Sequence, residues 1–290
     1  MFGWEAVLST GTLYPGLRLH LRSACACLFA AILATSSSAQ APASVPEAAD
    51  IVVQGQRADA LHDFVASMTD PDRSRQLARW VGQVCPTVIG IDPAQASAME
   101  ARIGDIATML HLQPRAKGCL TTMLIIVDND ADAVATALVQ RLPITLRRDG
   151  RGRLKRFAAS SQPVRWVSVT NPCGFGSCIL PNSRLVRAEK PVFETMIVLV
   201  DGRQIGGLSL AALSDYVAFV ALANPPAEKH WPSTSIMSMF GGRPDGAPFQ
   251  LTTHDEAFLH GLYASRIDGL GQSQRSSIVN AMKKGKRPRN

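Results

Sequence analysis

The chain has 290 residues, 46% hydrophobic and 18% charged, with a formal charge of +7. This is the make-up of a globular protein with enough apolar surface to bury a core, and it excludes disorder over the whole length, collagen and coiled coil. No stretch reaches the roughly 20 apolar residues that a membrane-spanning helix needs, so no transmembrane segment is expected in the mature chain.

Residues 1–39 read as a signal peptide. Arg18, His20 and Arg22 supply a positive n-region, 24–34 is a short apolar run, and Ser37-Ser38-Ala39 offers the small residues of a cleavage site. Cleavage after Ala39 would leave Gln40 at the mature end and place the protein in the periplasm or outside the cell. An Ala/Pro linker follows at 40–50.

Residues 51–146 read as an N-terminal α/β half. A short strand at 51–53 precedes a helix over 57–68, and 80–91 is strand-like around Cys85-Pro86. Asp92-Pro93 opens a helix, with Asp92 as N-cap and Pro93 in the first turn. Ala96, Met99, Ile103, Ile106 and Leu110 keep helical spacing along it. An apolar β-type run at 121–127 and a helix over 130–141 complete this half.

Residues 147–160 are expected to form an exposed basic hairpin with Asp149-Gly150 as its turn. The C-terminal α/β half, 161–282, then begins with strands at 164–169 and 192–200, the second stopped by Asp201-Gly202. A helix over 208–223 is apolar on nearly every side, which marks it as central and buried, and Asn224-Pro225-Pro226 stops it. The stretch 224–248 reads as a long loop with a short apolar turn at 236–240. Thr253 and Glu256 form a capping-box pair, and the helix they open carries Phe258, Leu259, Leu262 and Tyr263 on its apolar side. A last helix over 273–284 runs into a basic tail at 283–290. The fold class is α/β (or α+β), a mixed sheet covered by helices, with a central buried helix in the C-terminal half.

Four of the six cysteines stay in the mature chain: Cys85, Cys119, Cys173 and Cys178. An even number in an exported protein points to disulfides. Of the three possible pairings we favour Cys85 with Cys119 and Cys173 with Cys178. The first ties strand ends across a helix for roughly 3 kcal/mol; the second closes a small glycine-containing loop. No C-x-x-C spacing is present to favour zinc or redox chemistry.

The positive charge is concentrated in two places. The tail holds Lys283, Lys284, Lys286, Arg287 and Arg289 with no acid, and the segment 147–156 holds Arg147, Arg148, Arg151, Arg153, Lys155 and Arg156 against Asp149. Both are candidate polyanion-binding segments, and in a bacterial envelope the anionic component would be lipopolysaccharide, anionic phospholipid or an acidic wall polymer. Nucleic acid is disfavoured, because no aromatic side chains interleave with the tail.

Enzyme motifs are sparse. The phosphate-binding Gly-x-x-x-x-Gly-Lys-Ser/Thr is absent, Gly174-Phe175-Gly176 lacks the third glycine of a dinucleotide loop, and Ser177 lacks the G-x-S-x-G frame. His254 and His260 are six apart, a poor spacing on a helix for two ligands of one metal. Asp215, beside Tyr216 on the apolar helix, is the candidate functional acid; a buried hydrogen-bonded carboxylate is the simpler reading.

The strand 192–200 with Asp201-Gly202, the buried helix after it, Ser235-Ile236-Met237-Ser238-Met239-Phe240, and the segment from Leu251 to Tyr263 together resemble a family of exported Gram-negative bacterial proteins of unknown function. Some members of that family look distantly like metzincin zinc peptidases. The resemblance covers roughly 160–282 and rests mostly on hydrophobic pattern. The family's buried helix would carry H-E-x-x-H in an active metzincin, two histidines holding zinc and the glutamate activating its water. Here the helix has neither His nor Glu, so no catalytic residue, metal ligand or cofactor is carried over. The function expected is that of an exported non-catalytic envelope protein with a binding or accessory role. The alternatives are an envelope hydrolase built around Asp215 and the 224–250 loop, and a polyanion or nucleic-acid binder using the basic segments.

Overall fold

The computed structural model describes residues 59–114, 118–141, 151–174, 188–227, 230–241 and 249–285. The expected signal peptide, the expected linker, the strand expected at 51–53, Arg147, Arg148, Cys178, Lys286, Arg287 and Arg289 lie outside the described residues.

A helix, α1, covers 59–68 and buries Leu61, Phe64, Val65 and Met68 along one stripe. Two short strands follow, β1 (Gln83–Val84) and β2 (Pro86–Ile89). Helix α2 (Pro93–Met109) starts as its sequence requires: the Asp92 carboxylate accepts from the N–H groups of Ala94 and Gln95, and Pro93 sits in the first turn. Strands β3 (Gln113–Pro114) and β4 (Met123–Asp128) and helix α3 (Ala131–Arg141) come next.

Helix α4 (Arg151–Ala159) replaces the basic hairpin expected at 147–160. The correction has a clear cause. Leu154 and Phe157 are three residues apart, lie on one helical face and are both buried, and Phe157 joins the apolar cluster under α3. The run of arginines hid a short amphipathic pattern.

Strands β5 (Val164–Asn171) and β6 (Val192–Asp201) complete a four-stranded sheet of order β2-β4-β6-β5. Strands β2, β4 and β6 are parallel, and β5 runs antiparallel on the outer edge. Because β4 pairs with β6, the strands of both expected halves join in one sheet, and the described residues do not divide into separate N- and C-terminal halves. Gly90, which ends β2 at φ +92, has to be glycine: a Cβ there would stand 1.9 Å from the Val127 carbonyl oxygen.

Helix α5 (Leu210–Ala223) follows β6, and Ala212 to Ala223 are all buried, as the all-round apolar sequence predicts. Asn224 ends it in the left-handed conformation (φ 48). A 3-10 helix (Ile236–Phe240) precedes α6 (Thr253–Ala264) and α7 (Gly271–Gly285). The capping box of α6 is Thr252 with Asp255, one residue earlier than the expected Thr253–Glu256 pair. Both pairs fit the pattern; the choice falls on Asp255 because its carboxylate is fully buried and also accepts from Ser235 Oγ (2.6 Å) and the Ile236 N–H (2.8 Å). Burial pushes the Asp255 carboxyl above its ordinary range, and these donors pull against the shift.

The larger core lies on the sheet face covered by α2 and α5, and a smaller cluster of Ile126, Ala131, Ala135, Phe157, Ile197 and Leu199 lies under α3 and α4. Cys85 and Cys119 form a disulfide with a Cα–Cα distance of 6.1 Å. Cys173 is also disulfide-bonded, to a partner outside the described residues.

Candidate functional site

Strand β5 is an outer strand of the sheet among the described residues, and its Val164, Arg165, Trp166 and Ser168 are buried. The Asp201 N–H donates to the Pro163 carbonyl (2.8 Å), and the register runs on as Val164↔Val200, Arg165↔Leu199 and Trp166↔Val198. In an antiparallel pair, residues whose backbone groups bond the partner alternate with residues whose groups point away. Pro163, Arg165 and Val167 therefore face β6, while the N–H and C=O groups of Val164, Trp166 and Ser168 face outward. Among the described residues none bonds these outward groups, along about 14 Å of strand whose Val164, Trp166 and Ser168 are buried.

A cleft of about 870 Å³ follows this edge and is lined from both faces of the sheet. One wall is α4, through Arg153, Arg156 and Phe157. The other comprises the 68–78 segment, Pro225, Pro226 and Ala227. The left-handed turn at Asn224 brings Pro225 to the strand, where its carbonyl accepts from Trp166 Nε1 (2.9 Å).

The loop at 70–75 is fixed from α7. The buried Arg275 guanidinium donates to Thr69 Oγ1 (3.1 Å) and to the carbonyls of Asp70 (3.1 Å), Asp72 (3.4 Å), Arg73 (3.2 Å) and Arg75 (3.0 Å). Gly271 permits the approach, since a Cβ there would lie 2.1 Å from the Arg75 carbonyl oxygen. Gln76 adds bonds to the carbonyls of Glu189, Ile267 and Gly269.

Two buried guanidinium groups lie in or beside this cleft. Arg165, which lines it, is 2% exposed; its Nη2 donates to the Asp132 carboxylate (2.6 Å), while Nε and Nη1 have no partner. Asp132 is 71% exposed, so water screens this carboxylate. Arg79 follows the lining residue Ala78. It caps the C-terminal end of α6 by donating to the carbonyls of Leu262 and Ser265 and to Ser265 Oγ, and its Nε is unpartnered. Burial pushes its pKa down to about 10. Ser168 Oγ also lines the cleft without a hydrogen-bond partner.

The residues singled out in the sequence divide around this site. Arg153 and Arg156 line the cleft, and Lys155 is exposed on the same helix. Arg151 begins α4. Lys283 and Lys284 are exposed in the last turn of α7 and do not line the cleft. Asp215 does not line it either. Its carboxylate accepts from Arg102 Nε (2.6 Å) and the Leu251 N–H (2.9 Å), tying α2, α5 and the start of α6 together. The bond to Asp215 raises the Arg102 pKa above its ordinary value. This is the simpler of the two readings of Asp215, a hydrogen-bonded buried carboxylate. His254 stacks at 5.6 Å on Phe64, and His260 is exposed.

The structure adds Arg165, Trp166 and Ser168 to the residues the sequence singled out. A charged residue and a tryptophan inside an otherwise β-branched strand are a signal that could have marked an edge strand. The donor set for zinc does not fit. The buried helix contributes one carboxylate, already held by a guanidinium and an amide, and no group of three or more His, Cys, Asp or Glu side chains able to hold a metal occurs among the described residues. No family model, curated protein or solved structure matches the chain.

Proposed function

We propose that this is an exported, non-catalytic binding protein that holds an extended polypeptide segment along the outer edge of β5. The observation that carries this reading is the set of outward backbone groups of Val164, Trp166 and Ser168 beside a cleft of about 870 Å³. Strand addition supplies main-chain hydrogen bonds for affinity and leaves side-chain pockets on the two faces to select sequence. The Cys85–Cys119 disulfide supports export, and no helix among the described residues is long and apolar enough to cross a membrane. Ser168 Oγ has no base within hydrogen-bond reach to activate it as a nucleophile. The resemblance to metzincin-like proteins without the zinc motif fits the same reading, a peptide-holding architecture without hydrolysis.

A labelled peptide of about eight alternating valine and glutamine residues tests this by fluorescence anisotropy on the mature protein. Binding is expected, with amide shifts at Val164, Trp166 and Ser168, and N-methylation of alternate peptide amides should abolish it. Binding indifferent to N-methylation would overturn the reading. Asp215→Asn should leave binding unchanged; chelator-sensitive peptide cleavage lost in that variant would favour the hydrolase instead. Export is checked by N-terminal sequencing of envelope-derived protein, which should begin at or near Gln40.

A further inference from the structure

We infer that Glu100 locks the β2 edge of the sheet, so that it cannot pair with β2 of a second copy of this chain. In the order β2-β4-β6-β5, β2 is the outer strand on the side away from β5. An outer strand turns alternate backbone groups away from its one neighbour, and such a row is a template for another chain. The Cys85 carbonyl accepts from the Met123 N–H (3.1 Å), and the register runs Pro86↔Met123, Thr87↔Leu124, Val88↔Ile125 and Ile89↔Ile126. Cys85, Thr87 and Ile89 therefore face β4, while Pro86 and Val88 face outward.

Two residues leave this edge without a donor. Pro86 has no N–H. The Val88 N–H donates to Glu100 Oε1 (2.8 Å). Glu100 is half-buried on α2, next to Met99 and between Ala96 and Ile103 of the helix's buried stripe. The helix that packs on β2 thus also carries an acceptor to the strand's edge. Exposed apolar side chains stand at both ends of the strand. Ile89, at its end, is 46% exposed, and Leu120, which follows the cysteine bonded to Cys85 at its start, is 90% exposed. A two-fold axis that pairs β2 antiparallel with its copy sets the start of one strand against the end of the other, and so brings Leu120 of each copy toward Ile89 of the other. The apolar ends favour that pairing, and the missing donors oppose it. A copy seated here would also displace the Glu100 carboxylate from the Val88 N–H or bury it.

Sedimentation of the mature protein and its variants over about 10 to 300 μM tests this. Glu100→Ala frees one donor per copy, and Pro86→Thr adds one without touching Glu100. Each should tighten self-association about tenfold over the unsubstituted chain, and the double variant by more, because a two-fold pair uses each donor twice. Glu100→Gln removes the charge but keeps an oxygen for the Val88 N–H, and it should match the unsubstituted chain. In dilute Glu100→Ala the Val88 amide should exchange faster with solvent, and in the associated form it should be protected again. Each variant should keep one cooperative unfolding transition, which assigns the association to folded protein. Should Glu100→Ala lose that transition, Pro86→Thr, which leaves Glu100 in place, decides alone. A folded double variant that associates no more than the unsubstituted chain overturns the inference. Association of Glu100→Gln as strong as that of Glu100→Ala also overturns it, because charge repulsion between copies would then be the cause.

Discussion

Arg275 touches no ligand position, yet it shapes the cleft, because one guanidinium satisfies the carbonyls of Asp70, Asp72, Arg73 and Arg75 at once. A lysine has no planar fork to reach this set. Arg275→Ala should cost about 2–4 kcal/mol in chemical denaturation, the penalty for leaving several buried acceptors unpaired. It should also weaken peptide binding through a loosened 70–75 wall, and Arg275→Lys should rescue little of either. Asp201 sets a pH dependence. Hydrogen bonds from Arg203 and Gln204 hold its carboxyl far below the usual range. The unfolded carboxyl titrates near pH 4 (about 3.9), so below that pH the unfolded chain binds the extra proton. The stabilisation from Asp201 is thus present above about pH 4 and is lost as pH falls through the folded value. Asp201→Asn should flatten the acid limb of a stability–pH curve measured from denaturation midpoints. Asp255 has the opposite sign: burial raises its folded pKa, so its contribution is present below the unfolded value and is lost as pH rises through the folded one.

At the scale of elements, the Cys85–Cys119 bridge closes a loop with a sequence separation of 34 residues, running from the start of β2 through α2 to the approach of β4. Loop-closure entropy assigns it about 4 kcal/mol. Cys85→Ala/Cys119→Ala should lower stability by about 2–4 kcal/mol in guanidinium, with the sheet order retained in the native form. This pairing was legible in the sequence, as were α2 with its Asp92 cap and α5, because strong local patterns specify them. Helix α4 was not. Its apolar stripe has only Leu154 and Phe157, and the arginines around them masked a period that becomes visible only once both side chains meet a core. The cap of α6 was misplaced for a related reason. Thr252-x-x-Asp255 and Thr253-x-x-Glu256 are locally equivalent, and Ser235, distant in sequence, decides between them. The cleft at β5 is a product of pairing order, set by contacts distant in sequence: the strand at 164–169 is legible, and its outer place is signalled locally only by Arg165 and Trp166.

At the scale of the molecule, the order β2-β4-β6-β5 makes the sheet indivisible. Strand β6 is the hub. It pairs along its length with β4 on one side and β5 on the other, and its Val198 and Val200 are fully buried in the core shared with α2 and α5. Removing residues 51–146 would strip β6 of its parallel neighbour and expose Met196, Val198 and Val200, while α5 would lose its packing on α2 and the Arg102 partner of Asp215. The fragment 161–282 expressed alone should therefore show no cooperative unfolding transition, although the sequence reads it as a half with its own strands and helices. Calorimetry of the mature protein should give one transition with matching calorimetric and van't Hoff enthalpies. Two separable transitions, or a cooperatively folded 161–282 fragment, would show that the β4–β6 pairing is dispensable, and would overturn the idea that β5 is held in place through β6 by the parallel strands behind it.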